Sequence, residues 1–209
     1  LGDAAAGARF VAQLSAGLHV RNSTVLDRTV YSASREEFAV WDPLPSSMWL
    51  QYRAALSQRL LSAAQLHTVQ QLAMQAPPLA ATDGLYVVAL FAYGGAIADV
   101  AADATAFVHR GAAFDFNVAA IVLSGSADKK ARVKQWVDEV HDAVVGMVAD
   151  AVGHYEVYQN LADTQLAHPL LNYYGSNLPR LQQIKADVDP ENYFHFPQSI
   201  PPAPRAPVI

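Results

Sequence analysis

Tyrosine and asparagine crowd the stretch from Tyr155 to Phe196 of an otherwise Ala- and Val-rich chain. Buried phenols and carboxamides need partners for their polar atoms, so this density points to a large planar polar ligand or an adjoining domain. Other chemistries find less support. The seven histidines form no HExxH pair or other close ligand spacing, and no GxSxG elbow presents a serine nucleophile. The chain has no cysteine, which excludes thiol catalysis, thiolate metal sites, disulfides and cysteinyl cofactor attachment within it. Gly94-Gly95 lacks the GxGxxG form and reads as a tight turn after a strand, not as a dinucleotide phosphate grip. His109-Arg110 reads as a packed or solvated pair.

The bulk composition limits the partners. Of 209 residues, 52% are hydrophobic and 16% charged, with 14 basic against 19 acidic side chains. This is neither a disordered tail nor a polybasic nucleic-acid binder, and the balance argues against DNA, RNA and anionic membranes as main partners. No apolar run reaches the roughly 18 residues that a membrane-spanning helix needs. The opening LGDAAAGARF has neither an initiator Met nor a signal-peptide pattern, as expected of a mature product or a piece of something longer. Asn22-Ser23-Thr24 is an N-glycosylation sequon or an ordinary polar turn; glycosylation at Asn22 would imply the secretory route.

Several elements can be placed around these residues. Phe10, Val11, Leu14 and Leu18 have helical spacing, Val25–Tyr31 suits a strand, and Ala39–Met48 with its two prolines reads as a loop. Ser62-Ala-Ala-Gln65 has the form of a capping box ahead of Leu66, Val69 and Leu72, with Pro77-Pro78 ending that helix. Leu85–Phe91 fits a buried strand. Ile97, Val100, Ala101, Ala104 and Phe107 fit either a helix or a loop. Phe114–Val118 alternates as a strand with one wet face, becoming more buried towards Leu123. After Ser126, the residues Val133, Trp136, Val137, Val140, Val144, Met147 and Val148 form one apolar helical stripe, with Asp138 and Asp142 off it. A last helix has Asn177 as N-cap, Pro179 in its first turn, Leu181, Ile184 and Val188 on one face, and Pro190 past its end; the terminal Pro-rich stretch is expected to be extended. Interleaved strands and amphipathic helices predict an α+β fold, a sheet covered by helices.

The ordered string Tyr158-Gln-Asn160-Leu-Ala-Asp163, Tyr173-Tyr174-Gly175-Ser-Asn177-Leu-Pro-Arg180-Leu181, Lys185, Asp189-Pro190-Glu-Asn192-Tyr-Phe194 and Gln198-Ser199-Ile200-Pro201 resembles the C-terminal motif of berberine-bridge-enzyme-like flavoproteins, of the vanillyl-alcohol-oxidase fold class. Upstream, Gly94-Gly95-Ala96, Thr105-Ala106-Phe107, His109-Arg110 and Ser57-Gln-Arg59-Leu60-Leu61 resemble the family's substrate domain, as does the helix of Gly2 to Leu18. The resemblance implies an antiparallel sheet with helices covering one face and the flavin ring under the other. Residues 1–154 would then be a partial substrate-binding domain, and 155–209 a C-terminal segment returning to a flavin domain.

The resemblance further implies FAD held mostly by an N-terminal portion or second chain, so that this chain alone is expected to be colourless. It implies oxidation of an alcohol, sugar or small secondary metabolite by hydride transfer to the flavin, with a base taking a proton. Tyr158, Asn160 and Asn177 become the expected flavin-side contacts, although Asn177 also fits a helix cap and Tyr158 a core aromatic. The family's base commonly sits on the second tyrosine of a Tyr-x-Asn-Tyr-x-Asp pattern, and here that position is Leu161. Leucine transfers no protons, and Tyr155 is the substitute the sequence offers if strand register runs unbroken from 155 to 161. The competing reading is a non-catalytic binding or structural protein that keeps the scaffold without the base.

Overall fold

The computed structural model describes residues 48–150 and 153–204. The helix near Phe10, the strand at Val25–Tyr31 and the sequon at Asn22 lie outside the described residues.

Three antiparallel strands form the sheet: β1 (Trp49–Ser57), β2 (Gly84–Ala92) and β3 (Phe114–Val122), in the order β1-β3-β2. Strand β3 is central. Its Asp115 stands opposite Leu56 and Phe91, its Asn117 opposite Ala54 and Ala89. Because successive side chains alternate between faces, Phe114, Phe116, Val118, Ala120 and Val122 project to one side and Asp115, Asn117, Ala119 and Ile121 to the other.

The first of these faces is covered by helices. Helix α2 (Ala127–Val148) starts where Ser126 Oγ accepts the Lys129 amide at 3.2 Å. Its stripe of Val133, Trp136, Val137, Val140 and Val144 is buried against the β3 row, with Met147 and Val148 partly buried at its end. Helix α1 (Ala63–Ala73) has the reciprocal capping box that the sequence predicts, with Ser62 N donating to Gln65 Oε1 at 2.9 Å and Gln65 N to Ser62 Oγ at 3.3 Å. Trp136 Nε1 donates to the Leu72 carbonyl at 2.9 Å and Tyr86 Oη to that of Pro77 at 2.9 Å, fixing the end of α1 over the sheet. Gly84 is obligatory at the start of β2, since a Cβ there would lie 2.0 Å from the Ile121 carbonyl oxygen.

Residues 153–204 add short helices α3 (Pro169–Tyr174) and α4 (Leu178–Val188), joined by the 3₁₀ turn Gly175–Asn177. Glu156 bridges the outer edge of β1, its carbonyl accepting the Leu56 amide at 2.8 Å.

Three expectations require correction and one choice is settled. Strand β2, expected to be buried, is an outer strand of which only Gly84 is buried, with Leu85, Leu90 and Phe91 exposed. The 97–107 region is a loop, with a 3₁₀ turn only at Gly95–Ile97. All nine residues of β3 are buried, so the face that alternation suggested was wet is not, and Asp115 and Asn117 are each only 3% exposed. Asn177 stands at the N-cap position of α4 but makes no side-chain cap bond.

Phe116 is fully buried, so Phe116→Ala is expected to destabilise the fold by about 3–5 kcal/mol. Leu60→Ala, at a residue 80% exposed, is expected to change stability by less than about 0.5 kcal/mol. Urea unfolding of both variants checks the contrast.

Candidate functional site

The face of the sheet turned away from α1 and α2 carries the unusual chemistry. Leu50, Leu85 and Phe91 are on it and remain 50%, 39% and 56% exposed, while Asp115 lies buried on the central strand between Leu56 and Phe91. Asp115 Oδ1 is buried with no hydrogen-bond partner. Burial pushes the Asp115 carboxyl up to about 6, against the opposing pull of the Asn117 amide and of His109.

Tyrosines gather round this carboxylate. The ladder continues past β2 with Tyr93 N donating to the Ala113 carbonyl at 2.9 Å, which makes Tyr93 a diagonal neighbour of Asp115 on the same face. Burial raises the Tyr93 phenol above its ordinary range, and the Asp115 and Tyr158 charges add to this. Tyr52, also on this face, is raised by burial and then by Asp115 and Tyr93. An aromatic chain extends from there: Tyr93 stacks on Phe107 with centroids 6.3 Å apart, and Phe107 meets Tyr158 at 5.9 Å and His109 at 5.3 Å edge-on. Tyr158 Oη accepts the Asn160 amide at 2.7 Å, leaving its own proton free to donate.

His109 is buried, its Nε2 donating to the Tyr173 carbonyl at 2.9 Å, with Nδ1 3.3 Å from Glu156 Oε2. Burial would raise Glu156, but its pairing with His109 holds the carboxyl below the usual range. The His109-Arg110 pair of the sequence is thus a packed hinge between the β2–β3 loop and the C-terminal segment, with Arg110 Cζ 5.0 Å over the Phe107 ring.

The expected site residues separate. Tyr158 and Asn160 are together. Asn177 is 8% exposed and spends its amide on the carbonyls of Ala102 and Thr105, at 2.7 and 3.0 Å, fastening α4 to the loop. Tyr155 is on the helix side of β1, its ring 5.6 Å from His141 of α2 and its phenol raised by burial. Strand parity does not run to Leu161, because the chain turns there, with Leu161 N donating to the Tyr158 carbonyl at 3.0 Å. Tyr155 therefore does not stand in for position 161, and sequence reasoning passed over Asp115, whose signal was a charged residue inside a central strand that is apolar apart from it and Asn117.

On the helix side, Arg53 collects the acidic residues. Its Nε donates to Asp163 Oδ2 at 2.9 Å and Nη1 to Asp142 Oδ1 at 3.0 Å, with Asp138 Oδ1 3.5 Å away. Asp163 is locked in turn: its amide donates to Tyr173 Oη at 2.9 Å, Tyr173 Oη donates to Gln198 Oε1 at 3.0 Å, and Gln198 Nε2 donates to the Asp163 carbonyl at 2.8 Å. Among the described residues no group of three or more His, Cys, Asp or Glu could hold a metal ion. A concavity of about 450 Å³ at the outer edge of β1, lined by Gln58, Arg59, His154, Tyr155 and Glu156 among others, contains neither Asp115 nor Tyr158.

The fold is that of the vanillyl-alcohol-oxidase-like flavoproteins. A histidine-to-alanine variant of berberine bridge enzyme superposes with TM-score 0.74 at 20% identity, over 97% of this chain and 44% of that one. The family described as "Berberine and berberine like" matches residues 157–201. The FAD-linked oxidoreductase sorD of Penicillium rubens is 40% identical over 121 residues, covering 56% of this chain and 24% of sorD. The uncharacterized FAD-linked oxidoreductase YvdP of Bacillus subtilis is 37% identical over 111 residues, 53% of this chain and 23% of its own. The chain is similar to the C-terminal portion of berberine-bridge-enzyme-like FAD-linked oxidoreductases, and spans about a quarter of the length of these curated relatives.

Arg53→Met leaves Asp163, itself 4% exposed, without its cation, and is expected to cost about 3–5 kcal/mol. The double variant Arg53→Met, Asp163→Leu is expected to recover part of that loss. Equal stability of the two in chemical unfolding would contradict the pairing.

Proposed function

We infer that this chain forms the substrate-side wall of an FAD-dependent oxidoreductase that oxidises an alcohol, sugar or other small metabolite. The observation that carries the reading is the polar group on an apolar, partly exposed sheet face: an orphaned Asp115 oxygen, Tyr158 with a free proton, and exposed Leu50, Leu85 and Phe91. Such a surface fits a flat ring with polar edges, as a flavin has. When bound, the flavin supplies a two-electron, hydride-accepting centre. Tyr158, held by Asn160, would donate a hydrogen bond to it, and the apolar side chains would exclude water from its face.

A rigid, exposed aromatic loop supports docking against a flavin-binding portion of the same protein or a second chain. Tyr193, Phe194 and Phe196 are 80%, 75% and 59% exposed. They are nevertheless fixed: Asp189 accepts the amides of Tyr193 and Phe194 at 2.8 and 3.0 Å and pairs with Lys185, which also donates to the Phe194 carbonyl. Ordered, solvent-facing aromatics of this density mark an interface. By this division residues 1–154 contribute to the substrate side and 155–209 to the junction with the flavin domain. The sequon at Asn22 favours a secretory route, and among the described residues no helix is long and apolar enough to cross a membrane.

Leu161, in place of the family's tyrosine, favours a second reading in which the scaffold binds without turning over. Two experiments test these assignments. In the longest natural polypeptide that carries this chain, a purified sample is expected to show a flavin spectrum near one equivalent, bleached anaerobically by an alcohol or sugar. Residues 1–209 alone are expected to be colourless; a stoichiometric flavin there contradicts the division of labour, and a bound flavin that no such substrate bleaches favours the binding protein. In material from the natural source, glycosidase treatment is expected to lower the mass of the peptide containing Asn22; an unchanged mass removes the support for secretion.

A further inference from the structure

We propose that Asn172 and Tyr173, side by side in α3, are positioning residues for the flavin contact: they grip the two ends of the loop 155–163 and so set where Tyr158, at its apex, presents its free proton. The inference rests on the reading of Tyr158 as a flavin-side donor and names the residues on which that contact depends.

The apex does not place itself. Among the described residues the hydrogen bonds of 158–161 close on the turn, with Leu161 N donating to the Tyr158 carbonyl at 3.0 Å and Asn160 Nδ2 to Tyr158 Oη at 2.7 Å. Gln159 Oε1, between them, is buried with no partner. Outside the turn Tyr158 meets the Phe107 ring edge-on at 5.9 Å, a contact that tolerates sliding far more than a hydrogen bond does. The aim of Tyr158 is therefore inherited from the ends of its loop.

Those ends are held directionally. At the entry, Asn172 Nδ2 donates to the Tyr155 carbonyl at 2.6 Å, and Val157 N donates to the Asn172 carbonyl at 3.1 Å. At the exit, Asp163 N donates to Tyr173 Oη at 2.9 Å, that hydroxyl donates on to Gln198 Oε1 at 3.0 Å, and Gln198 Nε2 returns to the Asp163 carbonyl at 2.8 Å. A loop whose two ends meet adjacent residues of one helix is a closed, compact unit. Asn172 and Tyr173 are 6% and 1% exposed, so water does not replace a bond lost there.

The clamp is anchored in turn to the substrate-side part of the chain. His109 Nε2 donates to the Tyr173 carbonyl at 2.9 Å, while Leu56 N of β1 bonds the Glu156 carbonyl at 2.8 Å and Arg53 Nε bonds Asp163 at 2.9 Å. The loop is thus pinched between a strand and a helix, with its polar tip left over for a ligand. A displacement of about 1 Å at a positioned group can cost about 10²-fold in rate, so a single hydroxyl at the exit matters at the tip.

The test uses the longest natural polypeptide that carries this chain. Tyr158→Phe removes the donor, Tyr173→Phe removes the hydroxyl at the loop exit, and Asn172→Asp turns the donor facing the Tyr155 carbonyl into an acceptor. Val140→Ala, in the core under the helices, loosens the fold away from the loop. Without flavin, hydrogen exchange read by mass spectrometry is expected to quicken about tenfold in the peptide 155–163 of Tyr173→Phe and Asn172→Asp, with β3 unchanged. Val140→Ala is expected to quicken exchange in α2 and β3 instead. With flavin bound, Tyr158→Phe is expected to shift the visible flavin spectrum and to slow anaerobic reduction by about 10–10²-fold. Tyr173→Phe is expected to reproduce both effects, and the double variant to add little, because the two act as one unit; Val140→Ala is expected to keep the wild-type spectrum.

Spectrum and exchange decide the matter even where no substrate reduces the flavin. A Tyr158→Phe variant whose flavin spectrum and reduction match wild type overturns the reading of Tyr158 as a flavin contact, and the proposal with it. A Tyr158→Phe effect that neither Tyr173→Phe nor Asn172→Asp shares, effects that add in the double variant, or exchange that quickens uniformly along the chain in Tyr173→Phe, overturns the positioning role alone.

Discussion

The burial of both faces of β3 is the constraint on which the rest of the structure depends. A central strand paired on both edges has no free backbone groups to offer, so it is stabilised through the side chains it buries on its two faces. The helix-side row is Phe114, Phe116, Val118, Ala120 and Val122, and α2 fills it with a matching valine stripe around Trp136. The opposite row has no comparable apolar cover among the described residues. It is made instead of Asp115, Asn117, Ala119 and Ile121, flanked by larger side chains of β1 and β2. One strand thus serves as core on one side and as the floor of a polar site on the other.

The C-terminal segment is held to this sheet through polar groups more than through apolar area. Its own buried apolar cluster is small, centred on Val157, Leu166 and Tyr173. The attachment comes from Arg53, which draws Asp163 to the helix side of β1, and from His109, which binds the Tyr173 carbonyl from the other direction. Between them Tyr173 Oη receives the Asp163 amide and donates to Gln198. Buried polar contacts of this kind are specific in geometry, because each member left unpaired is costly. They set the path of the chain past Tyr158 and so decide which face each tyrosine meets.

That dependence explains what was legible in the sequence. The capping box at Ser62 and the stripe from Val133 to Val148 are local signals that appear as expected, and Leu85–Phe91 is a strand as its composition suggests, though not the buried one. Strand β1 carried no such signal: WLQYRAALS includes Arg53, Ala54 and Ala55, poor strand formers that are held extended by pairing with β3. The polar alternation of Phe114–Val118 was visible, but alternation alone cannot distinguish a wet face from a buried polar one. Tyr155 and Leu161 were linked by assuming an unbroken strand, and the turn after Tyr158 removes that link. The recognisable C-terminal string identified the scaffold; the buried carboxylate of Asp115 lay some forty positions upstream, on the central strand.

Asp115 and Asn117 also make physical sense together. Two polar residues on one face of a central strand would be a poor choice for folding, since each exchanges hydration for incomplete pairing. The Asn117 amide bonds back to the Asp115 carbonyl at a long 3.3 Å and also draws on the Asp115 carboxyl, a modest return for a residue that is nearly fully buried. Groups left short of partners inside an otherwise well-packed fold are commonly held ready for a ligand, with the stability lost there supplied by packing elsewhere. Here the packing that supplies it is on the same strand, one residue along the backbone: the fully buried Phe116 and Val118 alternate with Asp115 and Asn117, so the residues that hold β3 in place also hold the carboxylate where apolar surroundings keep it close to accepting a proton.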